Sequence, residues 1–272
     1  MGKSGAIHGL AGKAMDVPKT NLLEFIGIEQ TNLLVSMGTC HDDIAKMFPI
    51  LDEAYQAPLG FIDIRAGDDY KNTILSLYLF THYHLYFSTI CLLRRHLSDS
   101  LASTRKAIDA TLSAYRLIEE PATLLQYHER HRNYQNIKSY VLKQIEKDQT
   151  KFSLATELIK LHDLCSEYGS HADIGSFVYR VSIEPTQQVG KGLFKLNMFQ
   201  APENEIEFRG YMVQTLLAYT QMVKIFSAFV GTFSDGLDVS AWIKKIDELV
   251  KAFASETYRI EEQLKSAAAA SA

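Results

Sequence analysis

The chain has 272 residues, of which 47% are hydrophobic and 22% charged, and its formal net charge is −4. This composition supplies enough apolar side chains for a sizeable core and excludes a disordered chain. Because 32 Asp and Glu outnumber 28 Lys and Arg, no overall positive field is available to hold a phosphate backbone. Nucleic acid is therefore expected to bind only through a local basic patch.

The composition varies little along the chain and shows no linker or repeat, which predicts one helical domain over residues 1–272. Residues 1–16 contain no apolar run long enough for a secretory signal and are expected to form a flexible tail. The Ala-rich stretch 266–272 is expected to be a tail that either frays as the last turn of a helix or hangs free. The three cysteines are far apart and match no metal-ligand spacing. We expect reduced thiols in a cytoplasmic protein.

The first helices are separated by Pro and Gly. One helix is predicted to begin after Thr20, and a second follows Asp42, with Pro49 as a kink or break. The segment PLGFIDIRAGDD is typical of a loop. A long helix is then predicted from about Tyr70 to His96.

This long helix is unusual because the segment from Asn72 to Leu93 contains no charged residue. Its length of about 22 residues could cross a hydrocarbon layer of roughly 30 Å. However, polar residues are spread along it and each would need a partner in lipid; they include Asn72, Ser76, Thr81, His82, His84, Ser88 and Thr89. We therefore predict no membrane span, and a central helix covered on all sides by its neighbours.

Ser98 or Asp99 is the predicted cap of the next helix, which ends before Pro121. A short helix is predicted around LLQYHERH. A longer helical run from Tyr134 to Tyr168 follows, with a break near Asp148.

Alternating apolar residues predict a β-hairpin from about Ser176 to Phe199. A second charge-poor helix, Tyr211 to Phe233, contains only Lys224 as a charged residue, and a last helix runs from about Val239 to Lys265. The predicted fold is therefore an all-α multi-helix bundle around two charge-poor central helices, with a small β-hairpin insertion near 176–199. Such helices can be buried within one subunit or between two, so a homodimer is compatible with the sequence.

The stretch SEYGSHADIGSFVYR predicts a corner that carries candidate site residues. Gly169 is the expected helix terminator, and Ser170 with Asp173 has the spacing of a capping box. His171 would then lie in the first turn of the next element, where the helix dipole keeps its ring neutral and able to accept a proton. Alternatively, His171 only bonds a backbone carbonyl and tightens the turn, since no nucleophile is adjacent in sequence.

Arg105 is the most unusual residue in the chain, because it lies where an apolar side chain is expected. A stripe at heptad spacing contains this guanidinium among apolar side chains: Leu101, Arg105, Ile108, Leu112 and Tyr115. In one interpretation Arg105 lies at the edge of the stripe and pairs with Asp109, worth about 0.3–0.5 kcal/mol. In the other it lies deep and meets Glu167 or Asp173, with Ser170 and Tyr115 completing a binding site.

Metal binding is the weaker hypothesis for the histidines. His128 and His131 are one turn apart and could combine with His162. Neither an HExxH motif nor a pair of Glu-x-x-His motifs occurs, so no metal site and no cofactor are predicted.

The segment STRKAIDATLSAYRLIEEPA followed by SEYGSHADIGS resembles uncharacterised bacterial all-helical proteins related to the HEPN-like superfamily. The resemblance covers about Leu77 to Ile183. It implies a helical fold, a bacterial defence or toxin–antitoxin context and, in many members, a metal-independent ribonuclease that uses an Arg followed after four to six residues by a His. That spacing is absent here, so Arg105 and His171 would have to converge in space.

Two functional hypotheses follow. In the preferred one, the protein is a soluble, intracellular, all-helical molecule whose corner at Gly169 to Asp173 is buried against Arg105. That corner then serves a structural role or binds a partner, which is either another protein or a second copy. In the alternative, it is a ribonuclease or nucleotide hydrolase with His171 as the base and Arg105 as the phosphate clamp.

Overall fold

Helices make up nearly all of the chain that the computed structural model describes, which comprises residues 22–63, 65–169, 181–185, 192–196 and 205–271. The predicted all-α multi-helix bundle is confirmed. The predicted N-terminal tail, 1–16, lies outside the described residues.

Four helices of more than eight residues form the first part of the bundle: α1 (Leu22–Thr39), α2 (Phe48–Gln56), α3 (Asp69–Leu93) and α4 (Leu97–Glu119). A π-helical segment, Asp43–Met47, joins α1 to α2, and a 3-10 turn, Ala57–Gly60, follows α2. Pro49 lies in the first turn of α2, where its missing N–H costs no helical hydrogen bond. Asp68 caps α3, because its carboxylate accepts from the Lys71 N–H at 3.1 Å.

The predicted cap of α4 is wrong. The helix begins at Leu97, after His96, without a side-chain cap, and therefore Ser98 and Asp99 lie inside its first turn. Asp99 is favourable there because a carboxylate compensates the positive end of the helix dipole. It also lies 3.4 Å from Nδ1 of His96.

Four further helices follow: α5 (Leu124–His128), α6 (Arg132–Gln135), α7 (Ile137–Lys147) and α8 (Thr156–Gly169). The predicted break near Asp148 is confirmed, since α7 ends there and the Asp148 carboxylate accepts from the Thr150 N–H at 2.9 Å. Phe152 then adopts a left-handed conformation with φ of 56°. The predicted terminator Gly169 is the last residue of α8.

The segment predicted as a hairpin contains two short antiparallel strands, β1 (Val181–Pro185) and β2 (Gly192–Leu196). Ile183 lies opposite Phe194 in this register. The rest of the predicted hairpin is outside the described residues.

The C-terminal part contains α9 (Glu205–Ile225), α10 (Ser227–Phe233) and α11 (Val239–Ser271). The helix predicted from Tyr211 to Phe233 is thus two helices that meet at Phe226, a fully buried residue whose ring lies 4.9 Å from that of Tyr78. The last helix continues past Lys265 through the Ala-rich stretch predicted as a tail. Ala has the highest helix propensity, which favours this extension.

Buried polar groups join the central helices. The Tyr55 hydroxyl on α2 donates to the Tyr219 carbonyl on α9 at 2.8 Å, and the Tyr78 hydroxyl on α3 donates to the Tyr55 carbonyl at 2.7 Å. Trp242 of α11 donates its ring N–H to the Ala54 carbonyl at 2.9 Å. Because each donor is paired, these large side chains can be buried without losing a hydrogen bond.

The described helices were also tested as membrane spans. None of them is by itself long and apolar enough to cross a bilayer. Only α9 and α10 taken together, with a bend of 42° between them, reach the required length and composition.

Candidate functional site

The predicted corner is described only in part. His171, Ser170 and Asp173 lie outside the described residues, and so does the side chain of Glu167. Whether His171 approaches Arg105 therefore stays a prediction.

Arg105 is half-buried on α4 and faces α8. Burial raises the pKa of the Cys165 thiol on α8 to about 12, and the nearby Arg105 guanidinium opposes that rise. A thiol with such a pKa stays protonated at neutral pH and is a poor nucleophile. Arg105 is thus positioned beside the helix that leads into the corner.

Two other candidates on this side of the bundle serve the packing of α4. Asp109, the predicted partner of Arg105, lies with Oδ1 at 3.2 Å from Nε2 of the buried His162 on α8. Tyr115 is only 6% exposed, and its ring packs edge-on against Phe152 at 5.1 Å. Tyr115 therefore has little surface to offer a ligand, contrary to its predicted binding role.

The most exposed apolar surface on a central helix lies on α3. Five large side chains form a stripe on its outer side, from 43% exposed at Leu79 to 59% exposed at Tyr83. We call this stripe the α3 face; it consists of Leu79, Phe80, Tyr83, Tyr86 and Phe87. The prediction that neighbouring helices cover α3 on all sides is therefore wrong, because they cover only the opposite side.

The α3 face is symmetric in sequence about its centre. Relative to Tyr83, the other four residues lie at positions −4, −3, +3 and +4 of the helix. At 100° per residue these positions fall on one side of the helix. Leu79 thus mirrors Phe87, and Phe80 mirrors Tyr86.

One flank of the α3 face is fixed by a polar cluster on α2. Oδ1 of Asp52 lies 2.7 Å from Nε2 of His82 and accepts from the Tyr86 hydroxyl at 2.5 Å, while Oδ2 accepts from Gln56 at 2.6 Å. Partial burial of Tyr86 and, to a smaller extent, its contact with the Asp52 carboxylate raise the pKa of Tyr86 to about 12. The His82 ring also stacks on Tyr55 at 4.9 Å. These contacts hold Tyr86 in one orientation.

Two cavities lie along the other flank, between α3 and α4. One, of about 480 Å³, is lined by Phe80, and the other, of about 320 Å³, is lined by Phe87. Lys106 of α4 lines both cavities. The α3 face is therefore a ridge with a polar rim, the arrangement found in protein interfaces.

The three histidines considered for a metal site have separate partners. Nε2 of His128 lies 3.3 Å from the Thr73 hydroxyl, and Nδ1 of His131 accepts from the Asn133 N–H at 3.3 Å. His162 contacts Asp109. Within the described ranges no group of three or more His, Cys, Asp or Glu side chains is arranged to hold a metal ion.

Sequence reasoning missed the α3 face as a functional surface. The available signal was the segment LFTHYHLYF, residues 79–87, which contains large apolar residues on two sides of the helix. Such a segment predicts burial but does not say whether the second side is covered by the same chain.

Comparison with protein-family models, curated proteins and solved structures finds no match to this chain. The functional interpretation therefore depends on the geometry of the molecule itself.

Proposed function

We propose that this protein is a non-catalytic, partner-binding helical protein that associates with a second copy of itself through the α3 face. The observation that carries this proposal is the exposed stripe centred on Tyr83, on a segment without charged residues. Soluble proteins rarely leave a contiguous apolar patch larger than a few hundred Å² exposed, and such patches commonly mark interaction sites.

The size of the α3 face suits an interface. Four of its five residues are aromatic, and an aromatic side chain buries about 150–250 Å² when fully covered. At roughly half exposure, the four aromatic rings would contribute on the order of 400 Å². A standard interface buries about 800 Å² per partner, so the rim on α2 and α4 would supply the remainder.

The symmetry of the α3 face favours a second copy over an unrelated partner. In a dimer with a twofold axis, each contact between two different residues occurs twice. If two α3 helices cross antiparallel at Tyr83, Leu79 of one copy meets Phe87 of the other, and Phe80 meets Tyr86. Each apolar residue then has an apolar counterpart, without a rearrangement of either subunit.

The proposal is tested by measuring molar mass by light scattering across a range of protein concentrations. We expect a mass of two chains for the natural protein and of one chain for Tyr83→Arg, because the change brings two guanidinium groups together at the centre of an apolar interface. Tyr258→Arg is the matched control, since Tyr258 on α11 is 65% exposed and its replacement should leave the dimer intact.

A second variant distinguishes the α3 face from other apolar surfaces. Leu34 on α1 is 71% exposed, and we expect Leu34→Arg to remain dimeric. The proposal would be overturned by a natural protein that is monomeric at all concentrations, or by a dimer that Leu34→Arg dissociates and Tyr83→Arg does not.

The HEPN-like hydrolase is the second candidate. It is supported by the position of Arg105 near Cys165 on α8, because Cys165 lies six residues before His171 in the sequence. It predicts a phosphodiesterase activity on RNA that His171→Ala removes while the melting temperature stays unchanged. A lower melting temperature in His171→Ala, without any activity in the natural protein, supports a structural corner.

A further inference from the structure

A polar cavity lies on the side of the bundle formed by α6 and α7. Its volume is about 590 Å³, and it is lined by Arg132, Asn133, Asn136, Ser139, Tyr140 and Lys143. This volume lies within the range of small-molecule sites, but the lining contains no aliphatic side chain. A ligand for this cavity must therefore be recognised by polar and charged groups.

Five of the six lining side chains have their hydrogen-bonding groups available. The side chains of Arg132, Asn133, Asn136, Ser139 and Lys143 form no hydrogen bond or ion pair with any residue in the described parts of the chain. Asn136 precedes α7 but its side chain does not cap that helix. Donors from two helices are thus directed to one space without being used by the fold.

The sixth lining residue, Tyr140, is held in place from behind. Its hydroxyl donates to Glu120 Oε2 at 2.8 Å, and the Arg116 guanidinium lies 3.8 Å from its ring centre. Burial alone would raise the pKa of Glu120, but hydrogen bonds from Lys151, Tyr140 and Arg116 hold it below its ordinary value. Glu120, which holds Tyr140, is therefore ionised and already paired with two cations, Arg116 and Lys151.

The local charge around the cavity is positive, although the whole chain carries −4. Residues 128–143 contain four Lys or Arg and one Glu. Of the four cations, Lys138 is paired with Asp163 on α8, whereas Arg132 and Lys143 face the cavity without a carboxylate partner among the described residues. A bound anion would neutralise the charges of these two side chains.

We propose that this cavity binds the phosphate group of a phosphate ester that also carries hydroxyl groups, such as a nucleoside phosphate or a sugar phosphate. The Arg132 guanidinium has the fork geometry that binds two phosphate oxygens, and Lys143 supplies a point charge. The amides of Asn133 and Asn136 and the Ser139 hydroxyl are suited to the neutral hydroxyl groups of the ester. This site does not involve the α3 face, so it stands or falls independently of the proposed dimer.

The test uses the full chain and measures the binding of adenosine monophosphate by calorimetry at low salt. We expect saturable binding that weakens as salt is added, and a loss of affinity of about tenfold or more in the double variant Arg132→Gln, Lys143→Gln, because charged hydrogen bonds to phosphate are removed. Both side chains are exposed, so the melting temperature should not change.

The matched control is the double variant Lys244→Gln, Lys251→Gln, which removes the same charge from exposed positions of α11. It should bind as tightly as the natural protein. Equal losses in both double variants, or no binding of adenosine monophosphate in the natural protein, would overturn the site.

Three further ligands identify the source of the phosphate. Adenosine tests the need for the phosphate, ribose 5-phosphate tests the need for the base, and a single-stranded RNA of ten nucleotides tests a polymer. Adenosine should not bind. RNA that binds more tightly than the monophosphate, and loses that advantage in Arg132→Gln, Lys143→Gln, would assign the phosphate site to a nucleic acid strand.

Discussion

The helices α3 and α9 are alike in sequence and different in their surroundings. Both are long and contain a charge-poor stretch, with no charged residue in 72–93 of α3 and only Lys224 in 210–225 of α9, and both contribute to one contiguous core. On α9 none of the large apolar side chains is exposed, whereas α3 leaves the five residues of the α3 face open. A charge-poor stretch can therefore be enclosed by its own chain, as on α9, or enclosed on one side only, as on α3.

This difference shows what a charge-poor helix does and does not predict. Absence of charge indicates that a segment is suited to burial, because charged side chains are rarely buried without a partner. It does not indicate whether the covering surface belongs to the same chain. We expected neighbouring helices to cover α3 on all sides because its segment lacks charge, but the absence of charge does not say which chain supplies the cover.

The largest expected effect concerns the attachment of α9 to the rest of the bundle. Nε of Arg209 donates to Oδ2 of Asp43 at 2.8 Å, and Nη2 donates to Oδ1 at 3.1 Å. The Asp43 side chain, in the π-helical segment, is completely buried. We expect Arg209→Ala to lower the free energy of unfolding by about 3–5 kcal/mol, because it leaves a buried carboxylate without its partner. Urea denaturation measures this change.

Arg259→Ala is the control for the loss of an arginine. Arg259 pairs with Glu256 on the same helix, α11, but 54% of the Arg259 side chain is exposed. Its replacement should cost less than about 1 kcal/mol. Similar losses for the two variants would show that the Asp43 pair contributes no more than a surface pair.

A matched pair of leucines tests the comparison between α3 and α9 directly. Leu216 of α9 is fully buried and Leu79 of α3 is 43% exposed. We expect Leu216→Ala to lower the free energy of unfolding by about 2–5 kcal/mol through loss of apolar contacts and formation of a cavity. Leu79→Ala should cost about 0.5 kcal/mol or less at low protein concentration.

Protein concentration sharpens this second prediction. If Leu79 lies in a dimer interface, association stabilises the folded natural protein more as the protein concentration rises. Leu79→Ala weakens that association, so the difference in free energy of unfolding between the variant and the natural protein grows with protein concentration. The effect of Leu216→Ala should depend less on concentration. A concentration-independent effect of Leu79→Ala would argue against an interface at the α3 face.

The sequence predicted the helices well where local chemistry determines them. The break at Asp148 follows from a residue type that terminates helices, and it is confirmed. Gly169 is the last described residue of α8. The break at Phe226 was missed because no Pro or Gly marks it. There the chain bends around a buried ring, and that packing is set by distant residues such as Tyr78.

The candidate site was harder to predict than the fold. Arg105 was singled out as unusual from the sequence, but its neighbour Cys165 is 60 positions away and could not be identified from the sequence. The cavity beside α7 was not predicted from the sequence, although its six lining residues come from one short segment, 132–143. Exposure of polar residues is common, and only the structure shows that Arg132 and Lys143 line the same space.

The smallest expected effect concerns the covered side of α3. His84 is buried there, with Nδ1 at 2.7 Å from the Ser103 hydroxyl of α4. Burial, together with the nearby Lys106, lowers the pKa of His84 below its ordinary value of 6.5. As the pH falls through 6.5, the unfolded chain takes up a proton at this position and the folded chain does not. The contribution of His84 to stability is therefore present above pH 6.5 and is lost as the pH falls toward the folded-state pKa.

We expect the free energy of unfolding to fall more between pH 7.5 and pH 5.5 in the natural protein than in His84→Gln, which can retain a hydrogen bond to Ser103 but cannot titrate. Four described acids have lowered pKa values, and their ordinary values of 3.8 (Asp42 and Asp148) or 4.5 (Glu120 and Glu256) lie below this window. Lys106→Gln should give an intermediate slope, because it removes the charge and leaves the burial. Identical slopes for the natural protein and His84→Gln would show that the ring is protonated as easily in the folded state as in the unfolded chain, and hence that the covered side of α3 admits water.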